Sequence, residues 1–359
     1  MKALRSIVLA SLLAVGFACP VAAQPSAAGK PITIIIGFGP EGGDDAGLAG
    51  TAMGASRERL RPQPTYDRTG TLIARHLGRF LPGNPAVSTR SLPGAASLAA
   101  VRFLESSAPR DGTVLGIVGP ALARLPVSPV PTFKTDPSTF GWIGARMREI
   151  YVCVARKEIE AERLADLRGR EIFFGASEPR SRPFIHAAGL NLVLGGKMKI
   201  VPGYADVEEI LNATLRGETD GMCGVSLSVL RARYESRLAA GDLKPLAQYG
   251  ASKDPRLAWL PVISETARGD DSRVFQLLDD EGLYAWPLVT PPGVPAQRLA
   301  ELRAAFMAMG ADPEALAEAS RLQLDLDPVP GEEIEAAVRR LAQASPATLK
   351  GMRALSGFD

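Results

Sequence analysis

The apolar positions of residues 32–118 alternate between the spacing of strands and that of helices. Ile32 to Ile36 form a short apolar run, typical of a buried strand, and a helical spacing at residues 72–81 ends at Pro82-Gly83. The pattern predicts a strand, a helix, a strand, a helix and a strand, at 32–36, 72–81, 86–91, 98–104 and 114–118. Such alternation favours an α/β fold in which ligands bind at the carboxyl ends of parallel strands.

A second alternating region follows a proline-rich connector at 120–137 and begins with the apolar run Tyr151 to Ala155. Its predicted helices are 162–167, 183–194, 207–215 and 226–238, and its further strands are 171–174, 199–201 and 221–225. Strand-like runs at 245–249 and 283–289 come next. The amphipathic, alanine-rich helices of the tail, which begins at 296, need apolar partners, and we predict that they cover the first region.

The first 23 residues have the features of a secretory signal peptide. Lys2 and Arg5 precede an apolar stretch, and Val21-Ala22-Ala23 form a small-residue cleavage site. Cys19 is the alternative, as the lipid-modified residue of a lipoprotein signal. No other run approaches the roughly 18 apolar residues of a membrane span. The mature chain is therefore expected to be exported and soluble.

Charge and length narrow the class of protein. The chain has 41 Lys and Arg against 39 Asp and Glu, and removal of Lys2 and Arg5 with the signal makes the two numbers equal. Such a balance provides no basic excess for nucleic acid or for an anionic membrane surface. The mature length suits two domains.

Several segments, in this order along the chain, resemble the periplasmic solute-binding receptors of tripartite tricarboxylate transporters (Bug-type receptors). They read KPITIIIGFGPEGG, TYDRTGTLIARHLGRFLPGNP, RSLPGAASLAAVRFLESSAPRDGTVLG, FGWIGARMREIYVCVA, RGETDGMCGVSLSVLRAR and VTPPGVPAQRLAELRAAF. The resemblance covers essentially the whole mature chain. It implies a type II periplasmic-binding-protein clamshell, with two lobes that each contain a mostly parallel sheet flanked by helices.

The resemblance also implies a function. A receptor of this family would capture a small organic acid between the lobes and deliver it to membrane permease subunits. Separately, we expect a monomer that needs no cofactor. The expected divisions are the signal peptide (1–23), lobe 1 (24–148), lobe 2 (149–244) and a return to lobe 1 with the C-terminal helices (245–359). Two crossings, near Trp142–Val154 and Leu243–Tyr249, would form the hinge.

Two segments depart from the family pattern. About twenty extra residues separate Gly42-Gly43 from Asp67, and we predict that the insertion 41–64 lies at the mouth of the cleft. The loop 175–182 carries charges where the family has small and hydroxylic residues. Both departures flank the expected cleft, so they affect the identity of the ligand more than the fold.

The chemistry expected at the cleft is carboxylate binding by helix N-termini. Unpaired N–H groups and a partial positive charge at these ends hold anions without a metal, and small residues at the preceding turns let the main chain approach the ligand. The candidate ligand-binding residues are Phe38, Gly39, Gly42, Gly43, Tyr66, Asp67, Gly94, Ala95, Ala176, Ser177, Ser181, Arg182 and Tyr204.

Each candidate has a structural alternative. The glycines could serve only their turns, and Asp67 could be a helix N-cap, a residue that orders the cleft, or both. Phe38 and Tyr204 could be cleft walls or core residues. Arg182, like Arg180, could pair with a ligand carboxylate or be solvated.

An enzyme is the second functional class. His76 and His186 are the only histidines, and neither has a metal-ligand spacing such as HExxH; the sequence also lacks GxSxG. We therefore expect a binding protein and not an enzyme, without metal or cofactor. A clamshell of the same kind could instead report to a periplasmic sensing system.

Cys153 and Cys223 are the only cysteines left after signal removal. Both fall on apolar strand patterns of the same lobe, and the expected compartment is oxidising. Two outcomes are open, a disulfide between them or two buried thiols on strands that are not neighbours.

Overall fold

The computed structural model describes residues 28–38, 65–95, 97–127, 133–179, 181–269 and 271–357. The signal peptide and the insertion 41–64 lie outside these ranges, as do Gly39, Gly42, Gly43 and Arg180. Within these ranges, no helix combines the length and the apolar character that a membrane crossing needs.

The described chain forms two mixed sheets. In chain order the strands are β1 (Ile32–Ile36), β2 (Val87–Ser91), β3 (Val114–Ile117), β4 (Gly141–Ala145), β5 (Tyr151–Arg156), β6 (Phe173–Gly175), β7 (Lys199–Val201), β8 (Gly221–Ser226), β9 (Leu243–Tyr249), β10 (Pro287–Thr290) and β11 (Val329–Pro330). The first lobe has the order β11-β4-β10-β3-β1-β2, and the second has the order β7-β6-β8-β5-β9.

Helices cover both sheets. They are α1 (Thr65–His76), α2 (Leu98–Ser106), α3 (Ala121–Arg124), α4 (Arg182–Leu194), α5 (Val207–Arg216), α6 (Leu227–Ala239), α7 (Ile263–Thr266), α8 (Asp271–Asp279), α9 (Ala296–Gly310), α10 (Pro313–Arg321), α11 (Gly331–Ala342) and α12 (Pro346–Leu355). Shorter 3₁₀ turns cover Leu77–Phe80, Pro137–Thr139, Lys157–Ile159, Leu164–Leu167, Pro255–Leu257 and Asp280–Tyr284. The helix predicted at 162–167 is thus a 3₁₀ turn.

Local sequence explains where the elements begin and end. The isoleucines of β1 are buried on both faces of the strand, so this strand reads as a continuous apolar run. α5 begins after Asp206, whose side chain accepts a hydrogen bond from the N–H of Glu209 (2.8 Å), and it ends at Gly217, with φ of 79°.

Both sheets are mixed, and most of the described strands in each run in one direction, as the sequence predicted. In the first lobe β1 is parallel to β2 and β3, but β10 is antiparallel to β3 and β4. In the second lobe β6 is parallel to β7 and β8, but β5 is antiparallel to β8 and β9. β10 and β5 are the strands by which the chain enters each sheet from the other lobe, and the edge strand β11 is also antiparallel to its neighbour β4. Two separate sheets, each flanked by helices, confirm the predicted two-lobe α/β fold.

The first two crossings of the chain between the lobes are adjacent, and a third leads from α11 to α12. Residues 146–150 lead from β4 to β5, as expected, whereas the second crossing is at Asp280–Tyr284, later than the predicted Leu243–Tyr249. The reason is that residues 250–279 still pack on lobe 2, with Ile263 and Phe275 in the same core as Cys153. The two crossings meet where the N–H of Glu149 donates to the carbonyl of Gly282 (3.0 Å).

The tail helices divide between the lobes. α9 and α11 pack on β4 of lobe 1, as predicted. α12 packs on α4 and α8, and its Met352 and Leu355 enter the core of lobe 2. The expected boundary at residue 244 therefore assigns both 250–279 and α12 to the wrong core.

A disulfide joins Cys153 of β5 to Cys223 of β8. These strands are antiparallel neighbours, and their register shifts at Cys153, between the paired residues Val152 and Val154. Both cysteines are fully buried. The bond therefore links two strands of the lobe 2 sheet from inside its core.

Candidate functional site

A cleft of about 640 Å³ lies between the lobes. It is lined by the crossing 146–151, by first-turn residues of α1, α4 and α6, and by Trp286 before β10. Three helices thus present their N-terminal ends at the cleft. The partial positive charge of these ends makes the lining favourable for an anion.

Arg146 stands at the lobe 1 end of the first crossing and is only 3% exposed. Its guanidinium carbon lies 4.3 Å from the centre of the Trp286 ring, and its Nη1 donates to the carbonyl of Asp325. A cation–π contact and a hydrogen bond therefore hold this guanidinium in the cleft wall.

An aromatic row continues from Trp286 into lobe 1. The rings of Trp286 and Tyr66 are 6.4 Å apart, and Tyr66 stacks on Phe38 at 3.9 Å. Tyr66 lines the cleft, while Phe38 supports it from behind and packs so closely on Gly119 that a β-carbon there would lie 2.8 Å from its ring. Of the two alternatives for Phe38, the structure places it in the core, directly behind the cleft wall.

Glu149 lies in the cleft lining, with 1% of its surface exposed. Its Oε1 accepts from the N–H of Ile150 (3.1 Å) and its Oε2 from the hydroxyl of Ser228 (3.0 Å) in the first turn of α6. Burial raises the pKa of the Glu149 carboxyl, although the Ser228 bond and the charges of Arg146 and Arg182 act to lower it.

Arg182, the first residue of α4, is the lobe 2 counterpart of Arg146. Its guanidinium carbon lies 4.1 Å from the centre of the Tyr151 ring, and both residues line the cleft. The preceding Ser181 is the N-cap of α4 and accepts from the N–H of Phe184 (3.3 Å). Arg182 therefore reaches the cleft, whereas Ser181, also a predicted ligand residue, serves the helix and does not line the cleft.

A buried polar cluster lies behind Tyr151. The ring of His186 contacts Tyr151 edge-on (5.5 Å) and stacks on Tyr249 (4.1 Å), and its Nε2 is 3.8 Å from Glu281, which pairs with Arg124. Burial by itself raises the pKa of Glu281, but the charge of Arg124 opposes it and the pKa lies at about 2. Burial lowers the pKa of His186, so its imidazole is neutral. It lies beside the Glu281 carboxylate, whose charge Arg124 compensates.

Several predicted residues lie away from this cleft. Gly94 and Ala95 are exposed in the turn before α2. Ala176 and Ser177 pair with another loop, where their carbonyls accept from the N–H groups of Tyr204 (3.3 Å) and Gly203 (2.6 Å). None of these is in the cleft lining formed by the described residues.

Asp67 and Tyr204 are placed differently from their predicted roles. Asp67 lies in the first turn of α1, which begins at Thr65, so it is not the N-cap of that helix. Tyr204 is half-buried against the apolar core of lobe 2 that contains Ile210. Neither side chain lines the cleft.

The sequence interpretation missed the residues of the crossing. Arg146 and Glu149 belong to the run Arg-Met-Arg-Glu, which stands between two buried strands. The signal for these residues in the sequence was a charged run between two apolar strands. Such a run can mark a crossing between lobes, where side chains lie beside the cleft. Trp286 carried no such signal, and only its neighbours in space reveal its position.

A group of potential metal ligands lies elsewhere, at His76, Asp312 and Glu314. Arg79 already occupies its centre, where it donates to Asp312 (2.7 Å) and Glu314 (2.5 Å) and approaches Nδ1 of His76 (2.8 Å). The group is thus an ion-pair network that ties the 3₁₀ turn after α1 to α10.

The fold is similar to those of solved binding proteins. A TctC solute-binding protein from Polaromonas, determined without ligand, matches with a TM-score of 0.67 and 17% identity over 90% of this chain and 97% of that one. The R. palustris protein Rpa4515, determined with adipate, matches with a TM-score of 0.55 and 19% identity over 91% and 97% of the two chains.

MatC from Rhodopseudomonas palustris, determined with bound malate, matches with a TM-score of 0.51 and 17% identity over 91% and 99% of the two chains. No protein-family model and no curated protein matches the sequence. At these identities the matches establish the two-lobe periplasmic-binding-protein fold.

Proposed function

We propose that this chain is an extracytoplasmic solute-binding protein that captures a small organic carboxylate between its lobes and delivers it to a tripartite tricarboxylate-type permease. The observation that carries the proposal is a cleft between the lobes that is walled by arginines and by helix N-termini. Capture between two lobes suits delivery to a membrane partner, because closure encloses the solute until the receptor docks.

The charge of the lining supports an anionic ligand. Of the described residues that line the cleft, seven are arginines and four are Asp or Glu. Arg148 and Arg233 pair with acids outside the lining, while Arg146 and Arg182 lie beside the buried Glu149. Apart from those two pairs, five arginines face four acids among the described lining residues, and this positive balance in a partly desolvated cleft favours a carboxylate over a cation.

The compared proteins support the same class of ligand. One was determined with adipate and another with malate, and both have this fold over nearly their whole length. The order of sequence segments that resembles the tripartite tricarboxylate receptors adds the permease as the partner.

Two features support a periplasmic location. Residues 1–23 read as an export signal, and Cys153 and Cys223 form a disulfide, a bond that persists in oxidising compartments. Under this proposal Tyr66 and Arg182 are ligand contacts that the sequence also named. Gly39, Gly42 and Gly43 stay proposed contacts from sequence alone.

The test is a ligand screen on the mature chain. Mono-, di- and tricarboxylates are compared with neutral sugars and amines by thermal shift, then by calorimetry for the compounds that raise the melting temperature. A carboxylate is expected to bind saturably and to be recovered chemically unchanged. Stabilisation only by amines or sugars would refute the carboxylate, and turnover of the bound compound would indicate an enzyme.

A further inference from the structure

We infer that the two lobes hold the ligand by one arginine each, Arg146 from lobe 1 and Arg182 from lobe 2, so that the preferred ligand has at least two carboxylates. This inference rests on the proposed function, since it names the residues that determine specificity in the same cleft. It differs from the expectation drawn from the sequence, in which main-chain N–H groups bind the carboxylate without a side-chain cation.

The two arginines have matching surroundings on opposite lobes. Arg146 lies over Trp286 at 4.3 Å, and Arg182 lies over Tyr151 at 4.1 Å. Contact with a ring occupies the flat face of a guanidinium, whereas carboxylates bind to the N–H groups at its edge. An arginine can therefore keep its ring contact and bind a carboxylate at the same time.

Both side chains are partly ordered before any ligand arrives. Arg146 is almost fully buried and donates to the carbonyl of Asp325, while Arg182 is half-buried at the start of α4. An arginine that is already held loses less conformational freedom on binding than a solvated one. The alternative is that each arginine only stabilises its own lobe. Titration of arginine variants with mono- and dicarboxylates separates the two roles.

Trp286 offers a further donor beside Arg146. Its indole N–H is buried and finds no hydrogen-bond acceptor in the part of the chain that the structure describes. The residue lines the cleft and has φ of 52°, a strained value for a side chain of this size. Unpaired buried donors and strained residues concentrate at binding sites, and a ligand carboxylate at Arg146 would supply the acceptor.

The experiment combines ligand variants with protein variants. The protein variants are Arg146→Gln, Arg182→Gln and the control Arg303→Gln. Each is titrated by calorimetry with straight-chain dicarboxylates of three to six carbons and with monocarboxylates of the same carbon number. Arg303 is a matched control because it is also largely buried and donates to a carbonyl, that of Trp142 (2.8 Å), but it is not in the cleft lining.

Each cleft variant should weaken the best dicarboxylate by about 30-fold or more, the effect of removing one partner of a buried charged pair. Only one of the two should weaken the matched monocarboxylate, because that ligand can occupy only one arginine. The control should change neither affinity by more than about threefold. If a glutamine variant does not fold, the lysine variant replaces it, which keeps the charge and removes the two-pronged geometry.

The outcomes separate this inference from the proposed function. If no carboxylate binds the wild-type chain, the proposed function fails. The inference fails, while the proposed function stands, if the wild type binds a dicarboxylate no more tightly than the monocarboxylate of the same carbon number. The same holds if either cleft variant keeps its dicarboxylate affinity within threefold of the wild type. Equal losses for both ligands in both variants would assign the arginines a structural role and would also overturn it.

Discussion

Gly282 and Glu149 touch through their main chains where the two crossings between the lobes meet. The N–H of Glu149 donates to the carbonyl of Gly282 (3.0 Å), and a β-carbon at Gly282 would lie 2.0 Å from the carbonyl oxygen of Glu149. No side chain fits in that space. The absence of a side chain at Gly282 therefore allows the crossings to lie side by side and places Glu149 in the cleft.

Gly282→Ala should destabilise the protein by about 3 kcal/mol or more, because the clash is with main-chain atoms that cannot rotate away. Urea unfolding followed by circular dichroism measures the free energy of unfolding. Gly351→Ala is the control, since the nearest atom to its added carbon is a side-chain methyl of Val274 (2.8 Å) and alanine favours the helix. Equal losses in the two variants would contradict the assignment.

Removal of the disulfide by Cys153→Ala with Cys223→Ala should lower the free energy of unfolding by about 4 kcal/mol in the chain-entropy model. The cysteines are 70 residues apart, so the bond restricts a large loop of the unfolded chain. Guanidinium unfolding of the oxidised wild type and of the double variant measures the difference. Two alkylatable thiols in the unreduced, unfolded wild type would show that the bond is not formed.

Asp279→Asn should stabilise the protein at alkaline pH. Burial raises the pKa of Asp279 to about 7, against 3.8 for an ordinary aspartate. Because the unfolded state releases this proton at lower pH, wild-type stability should fall as pH rises from about 4 through 7, by at most about 4 kcal/mol. Asparagine removes that loss and can still accept from the N–H of Gly250 (3.0 Å).

Unfolding at pH 5 and at pH 9 checks this prediction, because the stability difference between Asp279→Asn and wild type should grow with pH. Asp280→Asn is the contrasting variant, since it breaks the two-pronged pair with Arg340 (2.8 and 2.9 Å) and should destabilise at both values. A constant difference for Asp279→Asn would show that this carboxyl does not titrate in the window.

Glu149→Gln should remove a pH dependence of carboxylate binding. Burial already raises the pKa of Glu149, and an anion bound nearby would raise it further, so binding takes up a proton. Wild-type affinity should then fall as pH rises through this pKa, by at most about tenfold per pH unit.

Calorimetry in buffers of different ionisation enthalpy measures the proton uptake directly. Uptake should be present in the wild type and absent in Glu149→Gln, while Glu235→Gln, an exposed carboxyl in the cleft lining, should leave it unchanged. Equal uptake in Glu149→Gln and wild type would assign the proton to another group.

Residue type and spacing were sufficient to predict the local elements and the fold class. The run Ile32–Ile36 and the capped helix at 207–216 signal their structure through residue type and spacing, which are properties of neighbours in the chain. The sequence also left only two possibilities for the cysteines, a disulfide or two buried thiols. Only Cys153 and Cys223 remain after signal removal, and the expected compartment is oxidising. Tyr66 and Arg182, which the sequence named as candidate ligand residues, line the cleft, and their contact with a ligand stays a prediction.

Long-range packing sets the strand directions, the place of the second crossing and the residues that wall the cleft. β10 and β5 run antiparallel because the chain enters each sheet from the other lobe, and residues 250–279 and α12 join lobe 2 because their apolar faces meet its core. Arg146 and Trp286 are 140 positions apart and become partners only through the fold. Contacts between residues distant in sequence depend on packing of the whole molecule, which no local pattern encodes.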